Sequence, residues 1–434
     1  MQHARFAARR AVVTDRLNIN NPCVIPELNM NNSAMAAKPD YVPFERVYDF
    51  DIYNFPIEDS EYQLALKKLT APHIPEVFWT PRNGGHWLVT RSAEINQVLS
   101  DYAHFSSRTI VVPKPDRPIP SFKPLQIDPP DHVKFRNIIA SHLSPKAVSQ
   151  LADTARALTI ELIEGFKARG ECEFISEFAQ HLPIAIFMKI VDLPDSDRAM
   201  LTHWAEIAMR GETDEARVGA LMQFVGYGLQ KTKERRLDPG SDMFSAIAAA
   251  KIDGEYLDDD TMGGMVLLML TAGLDTVASM LGFFALFLSR NPSHRRQLID
   301  HPELIPNATE ELLRRFPIAI LGREVVEDYE FNGVKLRAGD MVVMPSQLDG
   351  LDDRRFDNPE TVDFSRKVPA HATFGGGTHR CMGAMLARTE LRIFLEEWLK
   401  RIPDFEVQSG AEVQVQARSV ATVTSLPLAW TVGE

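Results

Sequence analysis

Cysteine is scarce in this chain. Three occur among 434 residues, Cys23, Cys172 and Cys381. An odd, sparse set argues against a disulfide framework and fits a reducing compartment. No CxxC pair and no HExxH string is present, so the usual zinc signatures are missing. A GxxxxGK[ST] phosphate loop is absent as well, and so is any flavin or NAD fingerprint. Electrons for any redox chemistry must therefore come from elsewhere. Positive charge is in deficit: 47 Lys and Arg face 59 Asp and Glu, a formal net charge of -12. Such a balance disfavours non-specific nucleic-acid binding but leaves room for a local basic face.

Long apolar runs are also few. Residues 1–20 carry Arg5, Arg9, Arg10 and Arg16 without the apolar core of a signal peptide. A disordered arm over residues 1–40, including the polar run Asn29–Ser33, is the favoured reading, with an organelle transit peptide as the alternative. The longest apolar stretch, Met262–Leu288, lies mid-chain and is interrupted by Asp275. It reads as a buried core helix rather than a membrane span. The expectation is a cytoplasmic protein without membrane or nucleic-acid partners.

What is present is ordinary globular material, 45% hydrophobic and 24% charged. A chain of this length can enclose a large flat cofactor. Residues 41–434 show no linker or repeat and are expected to form one domain. Asn83-Gly84-Gly85 between β-prone flanks predicts a hairpin over Phe78–Arg91. Ser92 then reads as the cap of a short helix to Leu99. Ile110–Pro130, with seven prolines, predicts a long loop of the kind that is usually functional or disordered. Helices are expected at His132–Ala140, Pro145–Arg169, Phe174–Val191, Asp195–Arg210, Glu215–Arg236, Met243–Ala250, Asp260–Arg290, Pro292–Ile299 and Leu304–Phe316. Short strands are expected at Glu330–Lys335 and Met341–Met344, then a last helix near Gly383–Arg401 and a strand pair within 405–432. The predicted class is mainly α with a small β region.

Three places carry chemistry. The first is TFGGGTHRCMGA, Thr373–Ala384, where Cys381 follows a glycine-rich loop and precedes a helix. Amides of the loop and helix start would favour thiolate over thiol and lower the cysteine pKa. Gly375, Gly377 and Gly383 would admit close backbone approach. Taken alone, as an isolated buried cysteine, Cys381 would read as a structural cysteine at a helix start. The second is TAGLDT, Thr271–Thr276, where Gly273 weakens a helix interior and Thr276 can bond a carbonyl one turn back. Asp275 next to Thr276 then suggests a local opening holding an acid and an alcohol. By themselves they could equally be a solvent-facing acid and a core threonine. The third is DPPDHVKFR, Asp128–Arg136, with His132 and Arg136 spaced i, i+4 so that both can point at one anion. Glu311 and Arg314, spaced i, i+3, can pair on one helix face, as many exposed pairs do.

Together these strings resemble one family. Phe374-x-x-Gly377-x-x-x-Cys381-x-Gly383 matches the haem-binding signature of the cytochromes P-450, and the other motifs fall in the expected order. The segments DFDIYNF, VFWTPRNGGHWLVTR, DYAHFSSR, FPIAILGR, LDGLDDR, VDFSR and RIPDFEV look like the bacterial camphor 5-monooxygenase family, across roughly nine tenths of the chain. The resemblance implies the triangular α-rich prism of the family, haem b ligated through iron by Cys381, and propionate contacts from His132, Arg136, Arg323 and His379. It places Phe374, Gly375 and Gly383 around the cofactor. Asp275 and Thr276 would relay protons to bound oxygen, and Glu311–Arg314 would be a buried structural pair behind the cysteine loop. A 2Fe–2S ferredoxin, fed by its reductase and NAD(P)H, would supply electrons and dock on a basic face containing Lys134, Arg136, Lys367 and Arg380. The thiolate would favour O–O cleavage.

The departures bear on substrate. The family tyrosine that bonds the camphor ketone aligns with Pro120, and no tyrosine occurs between Ala103 and Gly226. Ser121 is a candidate substitute. A ring-bearing contact is replaced by Val111, an acidic residue by Leu321, and two basic docking positions by Ala103 and Val133. The implied pocket is Val111, Phe122, Leu268, Thr271, Ala272, Ala319 and Val420. Such a lining suits a compact terpenoid or norisoprenoid. A peroxide-driven haem peroxygenase and a non-catalytic haem sensor are the alternatives; the acid–alcohol pair argues against both.

Overall fold

The computed structural model describes residues 35–115, 121–210 and 213–432. Most of the N-terminal arm, and Pro120, lie outside them. Residues 35–40 run against the early hairpin, where the Ala36 amide donates to the Pro81 carbonyl at 2.8 Å.

The helices fall close to where capping and periodicity put them. Asp131–Ala140, Pro145–Lys167, Arg198–Arg210, Asp214–Leu237, Asp259–Arg290, Ile305–Arg315 and Ala384–Arg401 are the main ones. Side chains cap some of them: the Ser144 Oγ accepts from the Ala147 amide, and the Asp258 Oδ1 accepts from the Thr261 amide at 2.7 Å. Two expectations are corrected. Ser92 is not a cap: it opens the helix Ser92–Ser100, and its amide is taken by the Asp352 carboxylate at 2.8 Å, from far along the chain. Phe174–Val191 is not one α-helix. A wide π turn, Ile175–Ala179, precedes the helix His181–Ile190.

The predicted hairpin forms as Val77–Thr80 paired antiparallel with His86–Val89, with Asn83, Gly84 and Gly85 all at positive φ. It joins a five-stranded sheet. Met341–Pro345 runs parallel to His86–Val89 and antiparallel to Ile320–Val325, and Phe105–Ser106 closes the edge. The sequence reading missed Ile320–Val325, which carries Arg323. The tail pairs as expected, Gln414–Gln416 with Thr422–Ser425, while Pro427–Ala429 lies between Glu406–Val407 and Glu171–Glu173.

The helix Asp259–Arg290 runs through the middle of the molecule, and 65% of its most apolar window is buried in protein. Among the described residues it is the one helix long and apolar enough to cross a membrane. One large apolar cluster joins it to the sheet and the last helix. A second joins it to His181–Ile190 and Asp214–Leu237. The proline-rich loop is pinned at both ends by glycine. A Cβ on Gly322 would meet the Ile110 carbonyl oxygen at 2.6 Å, and one on Gly264 the Ser121 carbonyl oxygen at 2.4 Å. Those contacts set the backbone next to Val111 against the sheet and that next to Phe122 against the central helix.

Candidate active site

The cysteine loop is closed by its own backbone: the Cys381 amide donates to the Phe374 carbonyl at 2.9 Å. Gly375 and Gly377 sit at φ 67° and 59°, and a Cβ on Gly377 would stand 2.5 Å from the Leu99 carbonyl oxygen. Gly383 differs from expectation. Its φ is -78°, and the nearest atom to an added Cβ is the Cys381 sulfur at 3.8 Å, so neither backbone strain nor a clash with protein demands glycine there. The Arg388 guanidinium lies over the Phe374 ring, 4.5 Å from its centroid.

Cys381 is exposed to the space beside it although protein encloses it on the other sides. Burial pushes its thiol up, more than the Gly383 and Ala384 amides and the Arg136 and Arg388 charges pull it down. The expected lowering is thus reversed in net direction, because the amide donors are outweighed by desolvation. A thiolate at this place needs a cation bound to the sulfur itself. Among the described residues no cluster of three His, Cys, Asp or Glu could complete a metal site. A metal on Cys381 must bring its other ligands with it, as iron in a macrocycle does.

The propionate candidates do come together. His132 and His379 have ring centroids 4.2 Å apart. His132 Nδ1 and both ring nitrogens of His379 are enclosed without a hydrogen-bond partner. Arg323 is 5% exposed, and among the described residues its guanidinium donates only to the Gly322 carbonyl, at 2.7 Å. Burial brings Arg323 down to about 10; burial and then the Arg323 charge bring His379 down to about 3. Asp128 is the acid that opposes both shifts. It is held by the Ser107 amide at 2.8 Å and the Ser106 hydroxyl at 2.5 Å. A buried nest of donors short of acceptors fits carboxylate groups entering from outside the protein. Arg136 is placed at its edge: its Nη2 donates to the Arg380 carbonyl at 2.6 Å, and Cys381 is the group that favours its charge.

Behind the loop lies the predicted ion pair, larger than predicted. Arg314 Nε and Nη2 donate to Glu311 at 2.7 and 2.8 Å, both side chains being wholly buried. Arg366 adds a third member at 3.1 Å, and the Asp363 amide donates to the same carboxylate at 3.0 Å. The direct ties to the cysteine side were missed. Thr373 Oγ1 donates to the Leu313 carbonyl, Arg388 grips Glu310 with both arms, and buried Asp349 accepts from the Ala372 amide at 2.6 Å. Thr373 and Asp349 lie in the cysteine loop and in LDGLDDR, and Glu310 beside the ExxR pair, but nothing local in the sequence shows which partners they take.

On the central helix, Met265–Leu267, Met269 and Leu270 are buried, whereas Leu268, Thr271, Ala272, Asp275 and Thr276 are accessible. That spacing is one face. Thr276 Oγ1 donates to the Ala272 carbonyl at 2.7 Å, as foreseen. Thr271 Oγ1 donates to the Leu267 carbonyl at 2.8 Å, so the polar member of the implied pocket spends its proton within the helix. Val111, Phe122, Ala319 and Val420 are half-buried, and Ala319 bridges Val420.

Fold and loop define a haem-thiolate protein, and comparison with known proteins agrees. The family model described as cytochrome P450 matches residues 211–428. The probable cytochrome P450 127A1 of Sinorhizobium fredii is 32% identical over 407 residues, 90% of this chain and 96% of that protein. The mycinamicin IV hydroxylase/epoxidase of Micromonospora griseorubida is 31% identical, over 73% of this chain and 82% of its own. The chain belongs to the cytochrome P450 family. More narrowly, it is similar to the crystal structures of CYP101J2, with a TM-score of 0.83 at 38% identity, and CYP101C1, with 0.85 at 36%. Each aligns over all of its own length and over 92% and 91% of this chain, in support of the camphor-monooxygenase-like resemblance. It is accordingly a haem b monooxygenase that uses O2 and electrons from a redox partner.

Proposed function

We propose that this protein hydroxylates a small, largely apolar substrate of terpenoid or norisoprenoid type. A 2Fe–2S ferredoxin, its reductase and NAD(P)H supply the electrons. The observation that carries the substrate class is the accessible face of the central helix, where Leu268 and Ala272 are apolar and the two hydroxyls, Thr271 and Thr276, already donate within the helix. With few donors exposed, burial of apolar surface dominates affinity, at about 25 cal/mol per Å².

The haem, held by Cys381 and by propionate contacts to His132, Arg323, His379 and Arg136, supplies the binding and activation of O2. The chain's own residues do the rest. Arg388 and the Glu310 carboxylate fix the loop that carries the sulfur. Thr276 holds its hydroxyl against the Ala272 carbonyl, and its oxygen lone pairs remain to accept from water. Asp275, one residue before, passes protons from the outer side of the helix to that water. Phe122 and Val111 exclude bulk water from the substrate end.

The donor protein docks on the cysteine side. There the exposed Lys134 is already paired with Asp131 and Asp253, at 3.0 and 3.1 Å, which leaves Arg380 and Lys367, of the four candidates, as the exposed cations without an ion pair among the described residues. Residues 41–434 act as one haem domain in the cytoplasm. The test is a comparison of turnover on a terpenoid panel with a reconstituted ferredoxin chain and with hydrogen peroxide alone. Product formation that depends on ferredoxin supports the reading. Efficient turnover with peroxide alone would assign a peroxygenase, and haem loading without substrate-dependent NADH consumption a sensor.

A further inference from the structure

Several helical threonines donate to the carbonyl four residues back. Thr159 does so to Ala155, Thr232 to Gly228 and Thr309 to Ile305, each at 2.8 Å. Those three are sealed in the core, where the bond satisfies a hydroxyl that packing has enclosed. Thr271 makes the same bond, to the Leu267 carbonyl at 2.8 Å, with the Leu268 carbonyl as a second acceptor at 3.2 Å. Unlike them, it stands on the accessible face of the central helix.

That face continues in both directions. About two helical turns earlier, on the same line, lies Gly264. The proline-rich loop is seated there: the Lys123 amide donates to the Gly264 carbonyl at 3.3 Å, and a Cβ on Gly264 would collide with the Ser121 carbonyl oxygen. Just over one turn later comes Thr276, whose hydroxyl is bonded to the Ala272 carbonyl at 2.7 Å. Thr271 thus lies between the loop that bounds the substrate end and the residue assigned to water and oxygen. From Met265 to Leu274 it is the one polar side chain.

A threonine hydroxyl carries one proton and two lone pairs. The proton of Thr271 has two backbone carbonyls within reach, so its oxygen offers the pocket lone pairs. A substrate carbonyl would have to win that proton from the helix, exchanging one bond for another. A substrate hydroxyl adds a bond and breaks none. Against Leu268 and Ala272 alone, the same hydroxyl would be desolvated without an acceptor, at a net cost.

We propose that Thr271 is a specificity-determining residue that accepts a hydrogen bond from a substrate hydroxyl, so that a terpenoid alcohol is preferred over the corresponding ketone. This deepens the monooxygenase reading and rests on its substrate class. It agrees with the loss of the ketone-binding tyrosine from the proline-rich loop: no tyrosine occurs between Ala103 and Gly226, while the facing helix offers an acceptor.

The experiment titrates haem-loaded protein with bicyclic monoterpenoid alcohols, the matching ketones and the parent hydrocarbons, by calorimetry and by the ferric spin-state change. It is repeated on Thr271→Val, which keeps the shape of the side chain without its hydroxyl, and on Thr271→Ser, which keeps the hydroxyl. The ratio of alcohol to ketone affinity is expected to fall about fivefold in Thr271→Val, the worth of one neutral hydrogen bond, and to be retained in Thr271→Ser. Ketone affinity should hardly change in Thr271→Val. An unaltered ratio in Thr271→Val, or ketones that lose as much affinity as alcohols, would overturn the assignment; hydrocarbons that still bind would then uphold the apolar pocket without it. Failure of every panel member to bind would overturn the terpenoid reading and the assignment with it. A failure of the haem-thiolate reading shows instead in the carbon monoxide spectrum.

Discussion

Thr276 and Glu390 show how differently two polar side chains can be used. The Thr276 hydroxyl is committed as a donor to the Ala272 carbonyl, so its part in proton delivery is as an acceptor and orienter of water. Thr276→Ala is expected to keep NADH consumption while diverting much of it to hydrogen peroxide, and Thr276→Ser to restore coupling. Peroxide assays against product yield decide this, and unchanged coupling in the alanine variant would remove Thr276 from the relay. Glu390, on the last helix, is 2% exposed with Oε2 unpartnered, and burial raises its pKa to about 8. An unfolded glutamate titrates near 4.3. The folded state therefore holds more protons between about 4.3 and 8, and stability is highest below that window and declines as pH rises through it. The slope is about 1.4 kcal/mol per pH unit at most. Glu390→Gln should flatten the decline in denaturant titrations at several pH values; an unaltered slope would show that Glu390 is ionised in the fold.

Among the elements, the cysteine loop depends on the helix Ile305–Arg315 behind it. Glu311 and Arg314, both wholly buried, form a network with the partly exposed Arg366 and are tied to the carbonyls of Gly350, Pro359 and Thr361. Removing one partner of such a pair strands a buried charge, at about 3–5 kcal/mol. Arg314→Ala should therefore yield little haem-loaded protein and a lowered Tm, whereas breaking the exposed pair Lys68–Glu58 should change Tm negligibly. Equal effects from both would deny the network its role. The same elements show what could be read in advance. Caps at Ser144 and Asp258, the Asn83-Gly84-Gly85 turn and the helical apolar period are local signals, and they gave the helices and the hairpin. The strand carrying Arg323 was missed because FPIAILGR is short and without alternation, and its identity as a strand comes from pairing with Met341–Pro345. Ser92 was misread as a cap because its amide is satisfied by Asp352, a partner that only the tertiary fold supplies.

Across the whole molecule, three features converge on one cofactor. A sulfur is exposed within an otherwise enclosing loop, a nest of imidazoles and guanidiniums lacks acceptors, and a buried helix opens one face in its middle. The first needs a cation and the second needs anions, and a flat iron macrocycle with carboxylate arms provides both. The net charge of -12 leaves the cysteine side to attract its donor through a few local cations rather than a broad field. Reduction rates should therefore fall only modestly with ionic strength; a steep fall would indicate a larger basic face than Arg380 and Lys367 provide. The central claim is ligation of the iron by Cys381, and the absorption spectrum of the ferrous protein under carbon monoxide tests it most directly. The account predicts the strongly red-shifted band of thiolate-ligated haem, lost in Cys381→Ser at equal haem content. A fully haem-loaded, folded wild-type protein without that band, or a serine variant that keeps it, would contradict the account.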